Sequence, residues 1–140
     1  MRTKVVLGAA ATILILGGGS PLLAHHSFNA EFDGNKPITL KGKVVKMEWV
    51  NPHSWITLDV PGPDGKVTTW RVEAGAPNAM FRRGFRRDSL PPGTEIVVEG
   101  FLAKQMPNTA NGRDLTFPDG QKLFMGSSGT GAPDDDKRPQ

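Results

Sequence analysis

The stretch KPITLKGKVVKMEWV, residues 36–50, decides the fold. Its first half alternates polar residues with a set of apolar or small ones: Ile38, Leu40, Gly42 and Val44. After a slip of one residue, the apolar set continues through Val45, Met47 and Trp49. A period of two is that of a β-strand with one buried face, and a single slip in phase indicates a β-bulge. We therefore predict a long, bulged strand with Gly42 near its bend.

Two more alternating stretches follow this strand. In SWITLDV, residues 54–60, the apolar face consists of Ile56, Leu58 and Val60. In KVTTWRVE, residues 66–73, one face consists of Thr68, Trp70 and Val72. Turn signals separate the three strands, at the Asn-Pro pair of residues 51–52 and at PGPDG in residues 61–65. The sequence thus predicts an antiparallel meander of three strands.

The period changes after the third strand. In APNAMFRRG, residues 76–84, Pro77 suits a first helical turn and Gly84 suits a helix end, so we predict a short helix of about two turns. Alternation returns in GTEIVVEGFLAK, residues 93–104, which predicts a fourth strand. A turn at residues 118–120 lies between two short apolar runs and predicts a closing hairpin.

This order of elements is that of the oligonucleotide/oligosaccharide-binding (OB) barrel. The predicted fold class is all-β: a small, OB-like barrel of five to six strands with one short helix between strands 3 and 4. A bulged first strand suits a strand that pairs in both halves of such a barrel. The alternative is a β-sandwich with an incidental helix, and connectivity alone identifies no ligand.

The N-terminus has the layout of a secretory signal peptide. Arg2 and Lys4 precede an apolar run at residues 5–16, and a break rich in Gly, Ser and Pro leads to the small residue Ala24. We predict a signal peptide at residues 1–24, cleaved after Ala24 or Leu23, and a periplasmic or secreted protein with no membrane span after cleavage. The rival interpretation is an uncleaved membrane anchor, which the Gly-rich break weakens.

Three further segments are predicted after the leader. An N-terminal segment covers residues 25–36, the barrel domain covers residues 37–126, and a disordered tail rich in Gly, Ser, Pro and Asp covers residues 127–140. The chain of 140 residues carries 17 basic and 14 acidic groups, a formal charge of +3. Loss of Arg2 and Lys4 with the leader leaves 15 basic groups against 14 acidic ones, or about +1. This balance predicts no specific nucleic-acid binding.

Composition and motifs argue against catalysis. The chain has no Cys, which excludes disulfides, thiolate metal sites and cysteine nucleophiles. We identify no Ser-His-Asp arrangement and no phosphate-binding glycine motif. No catalytic residue is therefore assigned, and we expect a non-enzymatic binding module.

The three histidines lie at two places suited to metal ligation. Cleavage after Ala24 makes His25 the first residue, and its α-amine and imidazole can then chelate one Cu(II). Cleavage after Leu23 gives an amine-X-His terminus that wraps Cu(II) with backbone nitrogens. His26, or His53 in the loop between the first two strands, would supply a further nitrogen. Cu(II) is thus the candidate cofactor, with His25, His26 and His53 as its ligands; the alternative is that the N-terminal histidines are only solvated polar residues.

A second set of residues is a candidate for binding a partner. Arg82, Arg83, Arg86 and Arg87 cluster around the end of the predicted helix. Trp55 lies on the strand face opposite the apolar set. These residues could dock another envelope protein or an anionic surface. The alternative is structural, because arginines near a helix C-terminus are favoured by the helix dipole.

Several stretches together resemble a known family. AHHSFNAEFD at residues 24–33, NPH at 51–53 and PN at 77–78 are similar to the exported bacterial domain-of-unknown-function family 6152. The resemblance extends from about Ala24 to Ser128 and implies an exported, OB-like barrel with no assigned activity. The recurrent positions of the family fall on His25, His26, Ser27, Phe28, Glu48, Trp49, Asn51, Pro52, His53, Pro77 and Asn78. Phe85 departs from the pattern, since Trp is expected there in many relatives.

Overall fold

A computed structural model of the chain describes residues 28–131. The predicted signal peptide, His25 and His26 lie outside the described residues, as does the predicted tail beyond residue 131. The elements, in chain order, are α1 (Phe28–Glu31), β1 (Phe32–Glu48), β2 (Trp55–Pro61), β3 (Val67–Glu73), α2 (Pro77–Arg82), β4 (Glu95–Ala103), β5 (Thr109–Thr116), β6 (Lys122–Phe124) and a 3-10 helix (Ser128–Thr130). None of the helices within residues 28–131 has the length and apolar character needed to cross a lipid bilayer.

Five of the strands close into a ring. β2 pairs antiparallel with both β3 and β1, and β4 pairs antiparallel with both β1 and β5. A parallel pairing of β3 with β5 closes the circle. β6 is added to β5 as the second strand of the predicted hairpin. The predicted all-β, OB-like barrel with a short helix between strands 3 and 4 is thereby confirmed.

The pairing shows how strongly the strands are staggered. One path of paired residues around the ring runs through Pro37, Phe101, Asn111, Glu73, Trp55 and Glu48. It leaves β1 at residue 37 and returns to β1 at residue 48, 11 residues further along. Stagger of this kind requires strands that tilt against the barrel axis. Because paired residues share a face, the path also identifies side chains that lie together on one side of the sheet.

The predicted bulge is present in β1, but one residue of the predicted apolar face is placed differently. The register with β2 shifts between Val44 and Lys46. Val44 is 2% exposed, whereas Val45 is 43% exposed. The assignment of Val45 to the apolar face was therefore wrong, because the bulged residue is left out of the pairing and turns away from the core. Met47 and Trp49 do resume the inner face and pack against the core.

The core fills the inside of the ring and the space beneath α2. Its buried apolar residues are Leu40, Val44, Ile56, Leu58, Val72, Ala74, Met80, Phe85, Leu90, Ile96, Val98, Ala110, Leu115 and Met125. Burying a large side chain of this kind contributes about 1.5–3 kcal/mol. Pro77 begins α2, and Gly84, with φ of 106°, follows its end, as predicted. Phe85, the position that departs from the family pattern, is 2% exposed and belongs to this core.

Two glycines allow neighbouring strands to approach closely. A Cβ atom at Gly42 would lie 2.2 Å from the carbonyl oxygen of Asp59, and one at Gly100 would lie 2.0 Å from that of Asn111. Both obstacles are backbone atoms of a paired strand, which cannot move aside without shifting the barrel wall. These contacts explain the glycines in strands that otherwise carry large apolar residues.

We predict that Gly100→Ala destabilises the fold by at least about 2 kcal/mol, because the added methyl group forces two paired strands apart. The matched control is Gly34→Ala in β1, where the nearest atom to a Cβ is a Phe28 side-chain carbon at 3.7 Å. Urea denaturation followed by tryptophan fluorescence measures both variants. Equal unfolding midpoints for the two variants would contradict the close approach.

Candidate functional site

His53 and Glu73 form an ion-pair geometry on the wall of the barrel. Nδ1 of His53 lies 3.1 Å from Oε1 of Glu73. The side chain of Glu73 is 6% exposed and that of His53 is 21% exposed. A buried carboxylate therefore contacts one nitrogen of a partly exposed imidazole.

The loop that carries His53 is fixed by backbone hydrogen bonds. The Ser54 N–H donates to the Gly75 carbonyl at 3.0 Å, and the Ala74 N–H donates to the Ser54 carbonyl at 2.8 Å. The Gly75 N–H in turn donates to the Met125 carbonyl at 2.7 Å. The first two bonds extend the pairing of β2 and β3 beyond the strand ends, and the third ties the residues after β3 to the segment after β6. His53 consequently occupies a defined position although it lies outside a strand.

Asn111 of β5 makes a second contact with the same carboxylate. Its Nδ2 donates to Oε1 of Glu73 at 3.2 Å. The parallel pairing of β3 with β5 sets Glu73 directly beside Asn111, which is 1% exposed. The Oδ1 atom of Asn111 has no hydrogen-bond partner within residues 28–131. We refer to His53, Glu73 and Asn111 together as the polar cluster.

The surroundings of Glu73 disfavour its charged form. Burial raises the pKa of the Glu73 carboxyl above its ordinary value of 4.5, and the nearby negative charge of Glu31 acts in the same direction. The charge of His53 and the hydrogen bonds from His53 and Asn111 oppose this rise in pKa. Desolvation dominates because the carboxylate loses most of its water and regains only part of that solvation from its two partners.

Residues 28–31 lie on the same outer face as the polar cluster. The Phe28 ring contacts the Phe101 ring edge-on, with centroids 5.5 Å apart. Phe101 is paired with Asn111. Lys104 anchors the segment from β4, since its Nζ donates to the Asn29 carbonyl at 2.6 Å and its N–H donates to the Glu31 carbonyl at 2.8 Å. The chain therefore enters the barrel beside the strands that carry Asn111 and Glu73.

Trp55, a predicted partner-binding residue, already has an intramolecular partner. The guanidinium carbon of Arg71 lies 4.5 Å from the centroid of a Trp55 ring. A cation-π contact of this kind at a partly exposed site contributes about 0.5–1 kcal/mol. A ligand that stacked on this face of the ring would have to displace Arg71.

The arginines of the predicted cluster are held by different parts of the barrel. Arg83 Nη1 donates to the Gly126 carbonyl at 2.7 Å, and its guanidinium covers the Phe124 ring at 4.8 Å. Arg87 covers the Phe81 ring at 5.4 Å, and Arg86 Nε lies 3.5 Å from a carboxylate oxygen of Asp88. Arg82 is the last residue of α2. Arg83 thus joins α2 to the segment after β6, which is a structural role.

Within residues 28–131, no group of three or more His, Cys, Asp or Glu side chains is close enough to hold a metal ion. The described chain brings His53 to Glu73 but adds no third donor. His25 and His26 lie outside the described residues, so their distance to His53 is not defined. A surface cavity of about 600 Å³ lies elsewhere, between Lys43, Pro61 and Val67, and contains none of the predicted site residues.

Glu73 and Asn111 were missed by the sequence analysis. Glu73 ends an alternating strand in the outward phase, where a carboxylate is ordinarily solvated. Asn111 lies in a Thr-Ala-Asn-Gly stretch without a pattern. No signal in the sequence links the two residues, because a parallel pairing between strands 38 residues apart brings them together.

We predict that Glu73→Gln raises the melting temperature at pH 7 and that this gain shrinks toward pH 4. The raised pKa means that folded Glu73 holds its proton more tightly than unfolded Glu73 does, so ionisation destabilises the fold as pH rises above 4.5. The variant cannot ionise and keeps an amide oxygen for its two donors. Melting temperatures measured from pH 4 to pH 8 test this difference.

Glu48→Gln is the matched control, because the hydrogen bond from Lys46 lowers the pKa of Glu48 and its side chain is 31% exposed, against 6% for Glu73. Its pH dependence is expected to be weak and of opposite sign. A stabilisation by Glu73→Gln that stays constant or grows toward low pH would show that the carboxyl is not destabilised by burial.

We predict that Arg83→Ala destabilises the fold by about 1–2 kcal/mol, because it removes the hydrogen bond to the Gly126 carbonyl and the cation-π contact with the Phe124 ring. Arg86→Ala is the control and should change stability by less than about 0.5 kcal/mol, since its side chain is 80% exposed. Chemical denaturation measures both variants. Equal losses of stability would argue against the structural role of Arg83.

Comparison with known proteins agrees with the resemblance seen in the sequence. No curated protein matches the chain. The model of a family described as "Family of unknown function (DUF6152)" matches residues 13–112, more than two thirds of the 140 residues. The match includes β1 to β4, the polar cluster and the HHSF, NPH and PN stretches. The chain therefore belongs to the family of unknown function DUF6152.

Proposed function

We propose that this protein is an exported, non-enzymatic module that binds Cu(II) through His25, His26 and His53. The observation that carries the proposal is the 3.1 Å contact between Nδ1 of His53 and the buried Glu73 carboxylate. When one ring nitrogen of a histidine donates to a carboxylate, the other nitrogen is free to bind a metal, and this arrangement recurs around metal-ligating histidines.

The entry of the chain into the barrel supports the participation of His25 and His26. Phe28 lies over Phe101 of β4, and β4 is separated from Glu73 of β3 only by β5. Neighbouring strands are about 4.8 Å apart, so the span from β4 to β3 is about 10 Å. His26 precedes Phe28 by two residues, which allows its Cα to lie up to about 7 Å from that of Phe28. Its side chain adds to that reach, so the covalent geometry permits His26 and His53 to approach each other.

The donor set favours copper. Two or three imidazoles, together with the α-amine that cleavage after Ala24 would create, form a nitrogen-rich set suited to Cu(II). A structural zinc site generally requires four protein ligands, and the described residues supply only His53 and its carboxylate partner. Glu31 is an oxygen donor on the same face, but within residues 28–131 it belongs to no group of three donors around a common point.

The alternative is an accessory protein that docks another envelope protein or an anionic surface through its arginines. This proposal has less support. Arg83 and Arg87 are engaged with Phe124 and Phe81, and one face of Trp55 is covered by Arg71. A docking surface built from them would have to break these contacts first.

The test is Cu(II) titration of the full chain after export and processing, with intact mass first used to identify the N-terminal residue. We expect His53→Ala and His25→Ala each to weaken binding at least about tenfold, or about 1.4 kcal/mol, because each removes a nitrogen ligand. Electron paramagnetic resonance should show fewer coordinated nitrogens in both variants.

The control is Gln121→Ala, which alters an exposed polar residue in the turn before β6 and should leave the affinity unchanged. Binding of the wild-type protein that is micromolar or weaker, and insensitive to either histidine substitution, would overturn the proposal. Binding that depends on His25 but not on His53 would also overturn the proposed ligand set, since it would leave only a loose chelate at the N-terminus.

A further inference from the structure

We infer that Glu73 is a positioning residue that sets His53 in the Nδ1–H tautomer and thereby presents its Nε2 for coordination. This inference deepens the proposed function and rests on it, since the proposal makes His53 a ligand through its second ring nitrogen but does not say what selects the tautomer. The inference concerns the described residues alone, so it does not depend on where His25 and His26 lie.

The geometry is specific to Nδ1. This ring nitrogen is 3.1 Å from Oε1 of Glu73, within the general range of an N–H···O hydrogen bond. An ionised carboxylate only accepts hydrogen bonds, so Nδ1 of a neutral His53 carries the proton and Nε2 keeps its lone pair. Because 21% of the His53 side chain is exposed, while only 6% of the Glu73 side chain is, the part of the ring away from Nδ1 is the part that can meet a ligand.

Asn111 keeps the carboxylate in place. Its Nδ2 donates to the same Oε1 atom at 3.2 Å, and the β3–β5 pairing fixes its position on the strand. Glu73 is thus held from one side by a buried amide and directs its acceptor at His53 from the other. The imidazole of His53 is therefore connected to β5 through two buried residues, Glu73 and Asn111.

The charge of Glu73 is the feature that a purely structural role leaves unexplained. Burial of a carboxylate is costly, and a Gln at this position would accept the same two hydrogen bonds without that cost. A Gln could, however, also turn its NH₂ group toward His53 and donate to Nδ1, which would place the proton on Nε2. The carboxylate excludes that arrangement and so restricts His53 to one tautomer.

The first arm of the test uses metal-free, processed protein at pH 8. Long-range ¹H–¹⁵N correlation spectra distinguish protonated from unprotonated ring nitrogens, and the chain has only three histidines to assign. We expect the Nδ1–H tautomer for His53 in the wild type and a mixture or the Nε2–H tautomer in Glu73→Gln. Glu48 is the control, because it is paired with Trp55, which is in turn paired with Glu73. Glu48→Gln removes a carboxylate but leaves the contact between His53 and Glu73 in place, so this variant should retain the Nδ1–H tautomer.

The second arm measures Cu(II) affinity by competition with a chelator. Partners that orient a ligating histidine affect metal affinity by about 10–100-fold, so Glu73→Gln should bind Cu(II) that much more weakly although it is expected to be more stable. Glu48→Gln should match the wild type. Asn111→Ala, which loosens the carboxylate, should give an intermediate loss.

The outcomes separate the two proposals. An Nε2–H tautomer in the wild type, or a Glu73→Gln variant with wild-type copper affinity, overturns the positioning role, and copper binding that still requires His53 then leaves the proposed function intact. Copper affinity that is unchanged by His53→Ala overturns the proposed function. It also overturns the role of Glu73 in coordination, even where His53 has the Nδ1–H tautomer.

Discussion

The pairing of β3 with β5 is the constraint on which the rest of the structure depends. Each of the other pairings in the ring joins antiparallel strands, and without this parallel contact the sheet would have two open edges. Closure lets the inward-facing residues of all five strands bury one another, and it removes edges that would pair with other chains. The same contact puts Glu73 beside Asn111, so closing the barrel also builds the polar cluster.

The polar cluster shows how a small barrel holds a charge in its wall. Glu73 is too buried to be solvated, and its two hydrogen bonds only partly replace the lost water, which is why its pKa rises. Such an arrangement is retained at a cost in stability, and costs of this kind are typical of functional sites. The proposed role in directing His53 gives a reason for the carboxylate that packing alone does not provide.

Local patterns predicted most of the strands because each barrel strand has one buried and one outer face. The alternation of Ile56 and Leu58 or of Ile96 and Val98 needs no knowledge of the partner strand. Val45 was misplaced for a related reason: the pattern revealed a slip in phase but not which residue the bulge excludes from pairing. That choice depends on the register with β2, which is a property of two strands.

The sequence by itself determined the order of strands and helix, the bulge in β1, the membership of the family and the position of His53 in the loop between β1 and β2. These features are encoded in neighbouring residues, whose periodicity and turn chemistry act locally. Only the tertiary structure decided that Glu73 meets both His53 and Asn111, that Arg83 supports the segment after β6, and that α1 lies on the face of the polar cluster. Those contacts join residues far apart in the chain, and their formation depends on barrel closure and on the loss of water from the groups it buries.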